Sequence, residues 1–437
     1  MEAQAARAGP TRWRAERTLP VAGAALGAGT VAYGLIATAA GTELGTPLPP
    51  FLAEWDPRVG PLAPLAVALL AAGAALAPRL QLPSVSAPRF VAAASILGLA
   101  LRLTLAAARD GVAGWYAVYE VPNLEAANEY LPALPAFEFG LRFFLDTFAE
   151  IGTSLTVNAV GHPPGLLVVL HLLGIESAQA MAALTIVGGA LSVPLAYLLA
   201  RRLLDERRAR MATLLYVFAP SAMLYGATSA DALYATLALL VALLLVARER
   251  VGQTFGAATF ALVSFFSYAN LAVGAWATIV AAGRDGPARA VKLAALCAAA
   301  LGAFYGGLHL ATGYDPVGAL VSVESVYREG VASGRPYAFW LVGSPVAFLA
   351  ALGLPTAWYA LRSAGAGSAA AIGVVAVLAV AAVLGFTKAE TERIYLFIVP
   401  LACVAAASSL PERRLRPVLA VLAAQALAAE LLLETIW

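Results

Sequence analysis

Four polar clusters interrupt an otherwise apolar chain, and each carries side chains that could do chemistry. Asn128-Glu129-Tyr130-Leu131 is followed by Pro132 and Pro135, which fix the backbone just after the acid. A carboxylate held in a partly dry cleft can act as general base toward a hydroxyl. In Gly161-His162-Pro163-Pro164-Gly165 two prolines remove two donors and the glycines permit close approach. His162 is then the polar side chain left to hydrogen-bond a phosphate or an acceptor. In Thr387-Lys388-Ala389-Glu390-Thr391-Glu392-Arg393-Ile394-Tyr395, Lys388 and Arg393 are donors suited to phosphate, the arginine in forked form. Glu390 and Glu392 can hold the Arg393 rotamer or contact substrate, with Tyr395 beside them. Asp231 opens the apolar stretch 232–246, where an acid caps unpaired amides or reaches a substrate. Each cluster also has an ordinary reading: solvated loop acids, a headgroup histidine, self-paired interfacial charge, a helix cap.

The elements that must position these residues belong to a membrane protein. Of 437 residues, 61% are hydrophobic and only 12% charged, and the mean hydropathy is +0.81. A soluble domain carries about a quarter charged residues, so the solvent that replaces the missing charge is lipid. A net charge of +2 gives no footprint for nucleic acid, and the arginines sit in short clusters between apolar stretches. Cys297 and Cys403 lie far apart inside apolar runs, so neither a disulfide framework nor a metal cluster is indicated. The run after Arg7, Arg12, Arg14 and Arg17 is too long for a signal peptide and reads as an anchor.

Apolar runs fall at roughly 19–41, 62–78, 89–108, 178–200, 209–226, 231–248, 254–267, 268–283, 291–311, 338–361, 369–386, 394–410 and 416–435. They predict an all-α polytopic membrane protein with about thirteen transmembrane helices. Several runs are shorter than the roughly 20 residues a crossing needs, which leaves the count open by one or two. Arg and Lys gather in the N-terminal tail and at 79–89, 201–210, 248–250, 284–292, 362 and 413–416. By the positive-inside rule these segments are cytoplasmic, with the N-terminus inside and Trp437 outside. Loops 42–61, 109–163, 312–337 and 387–393 then face the extracytoplasmic side.

Loop 109–163 holds seven acids (Asp110, Glu120, Glu125, Glu129, Glu138, Asp146, Glu150) against Arg109 and Arg142. Within it Phe137, Leu141, Phe144, Leu145 and Phe148 recur at helical spacing. They predict an amphipathic helix in the interface plane, with Arg142 and Asp146 on its wet side. Arg102, inside the third run and about one turn below the loop, is expected to pair with an acid there. Loop 312–337 mixes Tyr314, Asp315, Glu324, Tyr327, Arg328, Glu329, Arg335 and Tyr337 with Trp340, which suits a sugar-contacting lid or an interfacial aromatic belt.

Taken in order, these pieces resemble the GT-C superfamily of membrane glycosyltransferases. The resemblance rests on Leu99-Ala100-Leu101-Arg102-Leu103, Asn128-Glu129-Tyr130, His162-Pro163-Pro164, Ala200-Arg201-Arg202-Leu203, Ala219-Pro220-Ser221, Asp231-Ala232-Leu233 and Arg393-Ile394-Tyr395-Leu396 with Pro400. It spans about residues 90–410. It implies a catalytic core at 89–410 that includes loop 109–163, preceded by a tail and two extra helices at 1–88 and followed by a last helix at 411–437. It also implies inverting transfer of a sugar from a polyprenyl-phosphate donor to an extracytoplasmic glycan, lipid or protein acceptor. Glu129 would be the base, His162, Lys388 and Arg393 would bind the donor phosphate, and Asp231, Glu390, Glu392 and Tyr395 would contact substrate. Many members carry Asp-Glu where this chain has Asn128-Glu129, which keeps Glu125, Glu120 and Asp110 as alternatives for the base. The expected partners are the lipid-linked sugar, the acceptor and membrane lipid, with no nucleic acid. No cofactor is called for, and no cluster has a metal-ligand spacing, so a divalent metal is compatible with the chemistry but not indicated. The rival reading is a multi-pass transporter or lipid flippase, against which stand the lack of an internal repeat and the placement of polar residues at outer helix ends.

Overall fold

The computed structural model describes residues 10–435; the expectations for Arg7 and Trp437 lie outside the described residues. Each of the apolar runs is helical, as lipid requires, because a backbone with no water to bond must satisfy itself along the segment. Among the described residues six helices are long and apolar enough to cross a membrane: Ala15–Ala39, Ala63–Gln81, Ala87–Ala106, Ala178–Leu203, Pro287–Thr312 and Glu412–Leu432. Two more spans form if bent pairs are counted as one, Tyr337–Ala351 with Leu354–Gly365 at 113° and Thr391–Phe397 with Val399–Ser409 at 79°. Asp231–Leu245 and Ala369–Leu384 are shorter apolar helices. The chain is therefore an all-α polytopic membrane protein, with fewer full-length crossings than apolar runs. The run 338–361 does not cross as one rod, because Gly353 and Pro355 break it and start a second helix.

The core lies where Glu206–Val217 packs on Val399–Ser409, and Asp231–Leu245 joins them through Ser192–Leu203 and the turn Tyr395–Phe397; Glu206–Val217 is buried along most of its length from Ala209 onward. Ala15–Ala39 and Pro287–Thr312 are peripheral, each only 11% buried over its apolar window, so their outer faces are left to lipid. Cys297 and Cys403 are buried free thiols.

The described residues divide into two ends. Segments 42–61, 109–163, 312–337 and 387–393 meet at one of them. Arg109 pairs with Asp56 at 2.7 Å, the Leu52 amide donates to Glu392 at 3.0 Å, Gly313 lies against Asp146, and Arg335 pairs with Glu390 at 2.9 Å. A two-stranded antiparallel pairing of Ala53–Trp55 with Leu433–Thr435 brings the end of the last helix there too, a short departure from helix. At the opposite end Arg210 donates to Leu80 O and Val85 O, Arg284 to Val246 O, and Arg202 and Arg207 pair with Glu249 and Glu412. The four loops grouped by charge in the sequence thus share one end, and the basic clusters share the other.

Candidate functional site

The chain enters the acidic end from helix Ala87–Ala106 and passes through short 3-10 turns at Gly111–Trp115, Ala117–Tyr119, Leu124–Ala127 and Leu131–Phe137. Pro132 and Pro135 suit such turns because they need no amide donor. Asn123 starts the third turn by accepting from the Glu125 amide at 2.9 Å. Helix Leu141–Ile151 follows, with Phe144, Leu145 and Phe148 buried and Arg142 and Asp146 exposed. Its amphipathic pattern is as expected, but its apolar side is covered by protein rather than lipid. It packs on helix Pro316–Val326, with Phe148 at 6.1 Å from Tyr314, because the 312–337 segment folds over it.

Of the seven loop acids, only Glu125 and Glu129 are buried, at 7% and 1% exposure. Asp110 pairs with exposed Arg58 at 3.3 Å. Glu125 and Glu129 lie one helical turn apart, with the Glu129 amide bonded to Glu125 O at 3.2 Å. Asn158 holds both: its side-chain amide donates to Glu129 Oε1 at 3.0 Å and to Glu125 Oε1 at 3.3 Å. Asn128 donates to Glu125 Oε2 at 3.1 Å, and Thr156 to the Glu129 carbonyl at 2.8 Å. Burial pushes the Glu125 carboxyl above the usual carboxylate range, while the Asn128 and Asn158 bonds and the Arg393 charge pull the other way.

His162 sits beside this pair. Its Nδ1 is 3.0 Å from the Asn158 carbonyl and 3.0 Å from the Tyr130 hydroxyl, and its ring stacks on Tyr234 at 4.9 Å. Tyr130 and Tyr234 share a hydroxyl contact of 2.8 Å. A carbonyl only accepts, so Nδ1 carries the proton and Nε2 the lone pair. Burial also holds His162 below its ordinary pKa, against the opposing influence of Asp231 and of the Asn158 bond. The neutral imidazole thus spends its N–H inside the protein. The turn that places it needs its second glycine: Gly165 N bonds Phe265 O at 2.9 Å, and a Cβ at Gly165 would lie 2.4 Å from that oxygen.

The late loop closes the cluster from the other side. Arg393 is buried and engages Asp231 at 2.5 Å and Glu390 at 3.2 Å; Glu390 is also held by Arg335. Ala389 and Glu390 both take left-handed backbone, at φ 66° and 62°, a conformation costing roughly 1–2 kcal/mol per residue. The two arginines grip the Glu390 side chain and offset that cost. The fields of Glu129 and Glu125 reach Arg393, so the loop acids, Asp231, Glu390 and Arg393 form one electrostatic group. Lys388 turns elsewhere: its ammonium bonds Ala332 O at 3.4 Å, its carbonyl accepts from Arg335 at 2.6 Å, and its amide bonds the Tyr327 hydroxyl. Tyr395 shares a 2.5 Å hydroxyl contact with Thr387 and packs edge-on to Phe348. Glu392 is buried, with Oε1 on the Leu52 amide and Oε2 without a hydrogen-bond partner.

The structure therefore brings Glu129, Asp231, Glu390 and Arg393 together, places His162 against Glu129 through Asn158, and sets Lys388, Glu392 and Tyr395 in the surrounding wall. Arg102 departs from expectation. It is buried, and its guanidinium bonds Gly189 O at 2.9 Å, Gly226 O at 3.3 Å and Ser192, because the turn bearing Gly226 comes closer than any loop acid. Asn158 and Tyr234 were not singled out by sequence, and Tyr130 and Arg335 stood there only as members of larger polar groups, without a role. The available signal is a shared spacing of four, Glu125 to Glu129 and Asn158 to His162, which puts each pair on one helical face. Among the described residues no group of three or more His, Cys, Asp or Glu is placed to hold a metal ion.

No protein-family model matches the chain, and no curated protein does. Among solved structures it is similar to the oligosaccharyltransferase of Archaeoglobus fulgidus, determined with a tethered acceptor peptide containing the NVT sequon, at 14% identity and a TM-score of 0.40. The match covers 72% of this chain and 49% of that one, so the chain spans about half that protein's length.

Proposed function

We propose that the chain is a membrane glycosyltransferase that moves a sugar from a polyprenyl-phosphate donor to an extracytoplasmic acceptor with inversion. The observation that carries this reading is selective burial: of seven loop acids only Glu125 and Glu129 leave solvent, and both lie in the field of Arg393. Burying carboxylates is costly, and a cluster of acids around one arginine suits a site that moves protons next to a phosphate.

In this account Glu129 takes the proton of the acceptor hydroxyl as its oxygen bonds to the anomeric carbon. The bond from that carbon to the phosphate oxygen breaks, and the lipid phosphate departs with the electron pair. Arg393 meets the growing negative charge by giving up Glu390, which Arg335 retains; Lys388 reaches the same phosphate by leaving Ala332 O. Asp231 keeps the Arg393 fork in place. His162 acts through Tyr130 and Tyr234, holding the wall behind Glu129. Glu392 offers a carboxylate oxygen to a sugar hydroxyl. The basic end is cytoplasmic, by the excess of arginine there.

The test is transfer of radiolabelled sugar by purified protein from a panel of polyprenyl-phosphate mannose, arabinose and glucose to membrane acceptors or water. Transfer from at least one donor is expected. Folded protein that turns over none of them, and whose thermal transition none of them shifts, would refute the reading.

A further inference from the structure

Two buried carboxylates one turn apart create an electrostatic problem that this chain solves in a specific way. Glu125 and Glu129 share a helical face, since Asn128 N and Glu129 N both bond Glu125 O, at 2.8 and 3.2 Å. Like charges at that spacing repel, and low dielectric strengthens the repulsion. Carboxylates that share a site resolve it by retaining a proton. One side-chain amide, that of Asn158, donates to both, and its shorter bond goes to Glu129, as expected for an ionised acceptor. Asn158 is itself fixed: its backbone amide bonds Asn128 O at 2.9 Å and its carbonyl bonds His162. The surrounding charges are unequal. Arg393 acts more strongly on Glu129 than on Glu125, and Glu390 adds negative field at Glu125. Tyr119 and Tyr130 are buried phenols held neutral by burial first, then by the Glu129 charge at Tyr119 and by Tyr234 followed by Glu129 at Tyr130.

We propose that Glu125 and Glu129 hold a single proton between them, on Glu125, and that Asn158 is the positioning residue that fixes this division. Glu125 keeps its proton through the transfer, while Glu129 stays ionised to receive the acceptor's. The catalytic half of the inference rests on the function proposed above; the shared proton can be read without turnover.

The experiment has two arms. Infrared difference spectra of protein carrying 13C-labelled glutamate, recorded at neutral pH, should show a protonated-carboxyl band in wild type that Glu125→Gln removes and Glu129→Gln leaves. An identical band in wild type and Glu125→Gln would overturn the shared proton even in protein that transfers no sugar. In the activity arm, Glu125→Gln should lower kcat at least tenfold less than Glu129→Gln does. The acidic limb of its pH profile should keep its place while the alkaline limb, set by loss of the Glu125 proton, disappears. Asn158→Ala should lower kcat by roughly 10- to 100-fold with KM little changed and should move the acidic limb upward, since Glu129 loses a donor to its charged form. Asn158→Asp, nearly isosteric, covers the case in which the alanine variant fails to fold, and should raise that limb further. A Glu125→Gln enzyme as inactive as Glu129→Gln, or one whose acidic limb moves down, would show that Glu125 works ionised and refute the assignment.

Discussion

The two ends of this helical bundle use charge in opposite ways. At the basic end most charges keep their water: Arg207 and Glu412 pair with side chains 62% and 46% exposed, and Arg202 and Glu249 with 40% and 70%. Arg210, which does go under, pairs with the still-exposed Glu206 at 2.6 Å and donates to two carbonyls that close a turn between helices. At the acidic end the charges face one another out of water. Arg393 and Asp231 are each 6% exposed at the side chain, and Glu125, Glu129 and Glu392 are buried beside them. The difference separates charge left in water, which costs little to maintain, from charge taken out of it, which must be stabilised by the whole surrounding wall.

The sharpest way to break that contrast is to remove matched residues from each end. Arg393→Ala leaves Asp231 buried without its arginine and should cost about 3–5 kcal/mol, read as a lost or strongly lowered thermal transition in detergent. Arg207→Ala should cost about 0–1 kcal/mol. Equal effects would mean that the acidic end is no more tightly built than the basic one. Next in size, Glu392→Ala strands the Leu52 amide and should cost about 1–3 kcal/mol. It should also loosen segment 42–52, which is held again where Trp340 Nε1 donates to Leu44 O at 3.0 Å, as faster hydrogen exchange there would report. Glu412→Ala should leave exchange at that end unchanged.

The smallest expected effect is one of sign. Glu125 has a folded pKa raised by burial, so its contribution to stability is full below the ordinary carboxylate value of about 4.3 and is lost as pH rises through the folded value. Glu206 at the basic end is the reverse. Burial alone would raise it, but the bonds from Arg210 and Tyr197 and the charges of Arg210 and Arg201 outweigh burial and lower it. Its contribution is present above the ordinary value and lost as pH falls through the lowered one. Thermal midpoints against pH should therefore show Glu125→Gln gaining on wild type as pH rises, and the deficit of Glu206→Gln shrinking as pH falls. Parallel curves for the two variants would contradict the account of both ends.

Much of this division is legible in the sequence. Arginine clusters and apolar runs separate the loops into the two groups that the fold keeps apart, and the spacing of Phe144, Leu145 and Phe148 marks a helix face. What covers that face is not legible, since an amphipathic pattern is the same whether lipid or helix Pro316–Val326 lies against it. The break at Gly353 is marked only by one glycine and a proline two residues on. Within the site, Glu129, Asp231 and Arg393 stand out because polar residues are scarce. Asn158 does not, because its role comes from a contact across 29 residues of irregular loop, where no periodicity says which side chains turn inward. Arg102 misleads for the complementary reason: an intramembrane arginine suggests an acid, whereas its partners here are the Gly189 and Gly226 carbonyls and the Ser192 hydroxyl.

The central claim, that the buried acids are a working site, is tested most directly by assaying Glu129→Gln against wild type, with Glu249→Gln at the basic end as the control. Each is given the same polyprenyl-phosphate sugar, and donor binding is measured alongside. The account predicts that Glu129→Gln loses roughly 100- to 10,000-fold in transfer rate, with donor binding and thermal transition retained, while Glu249→Gln matches wild type. A folded Glu129→Gln protein that transfers sugar at the wild-type rate would contradict it.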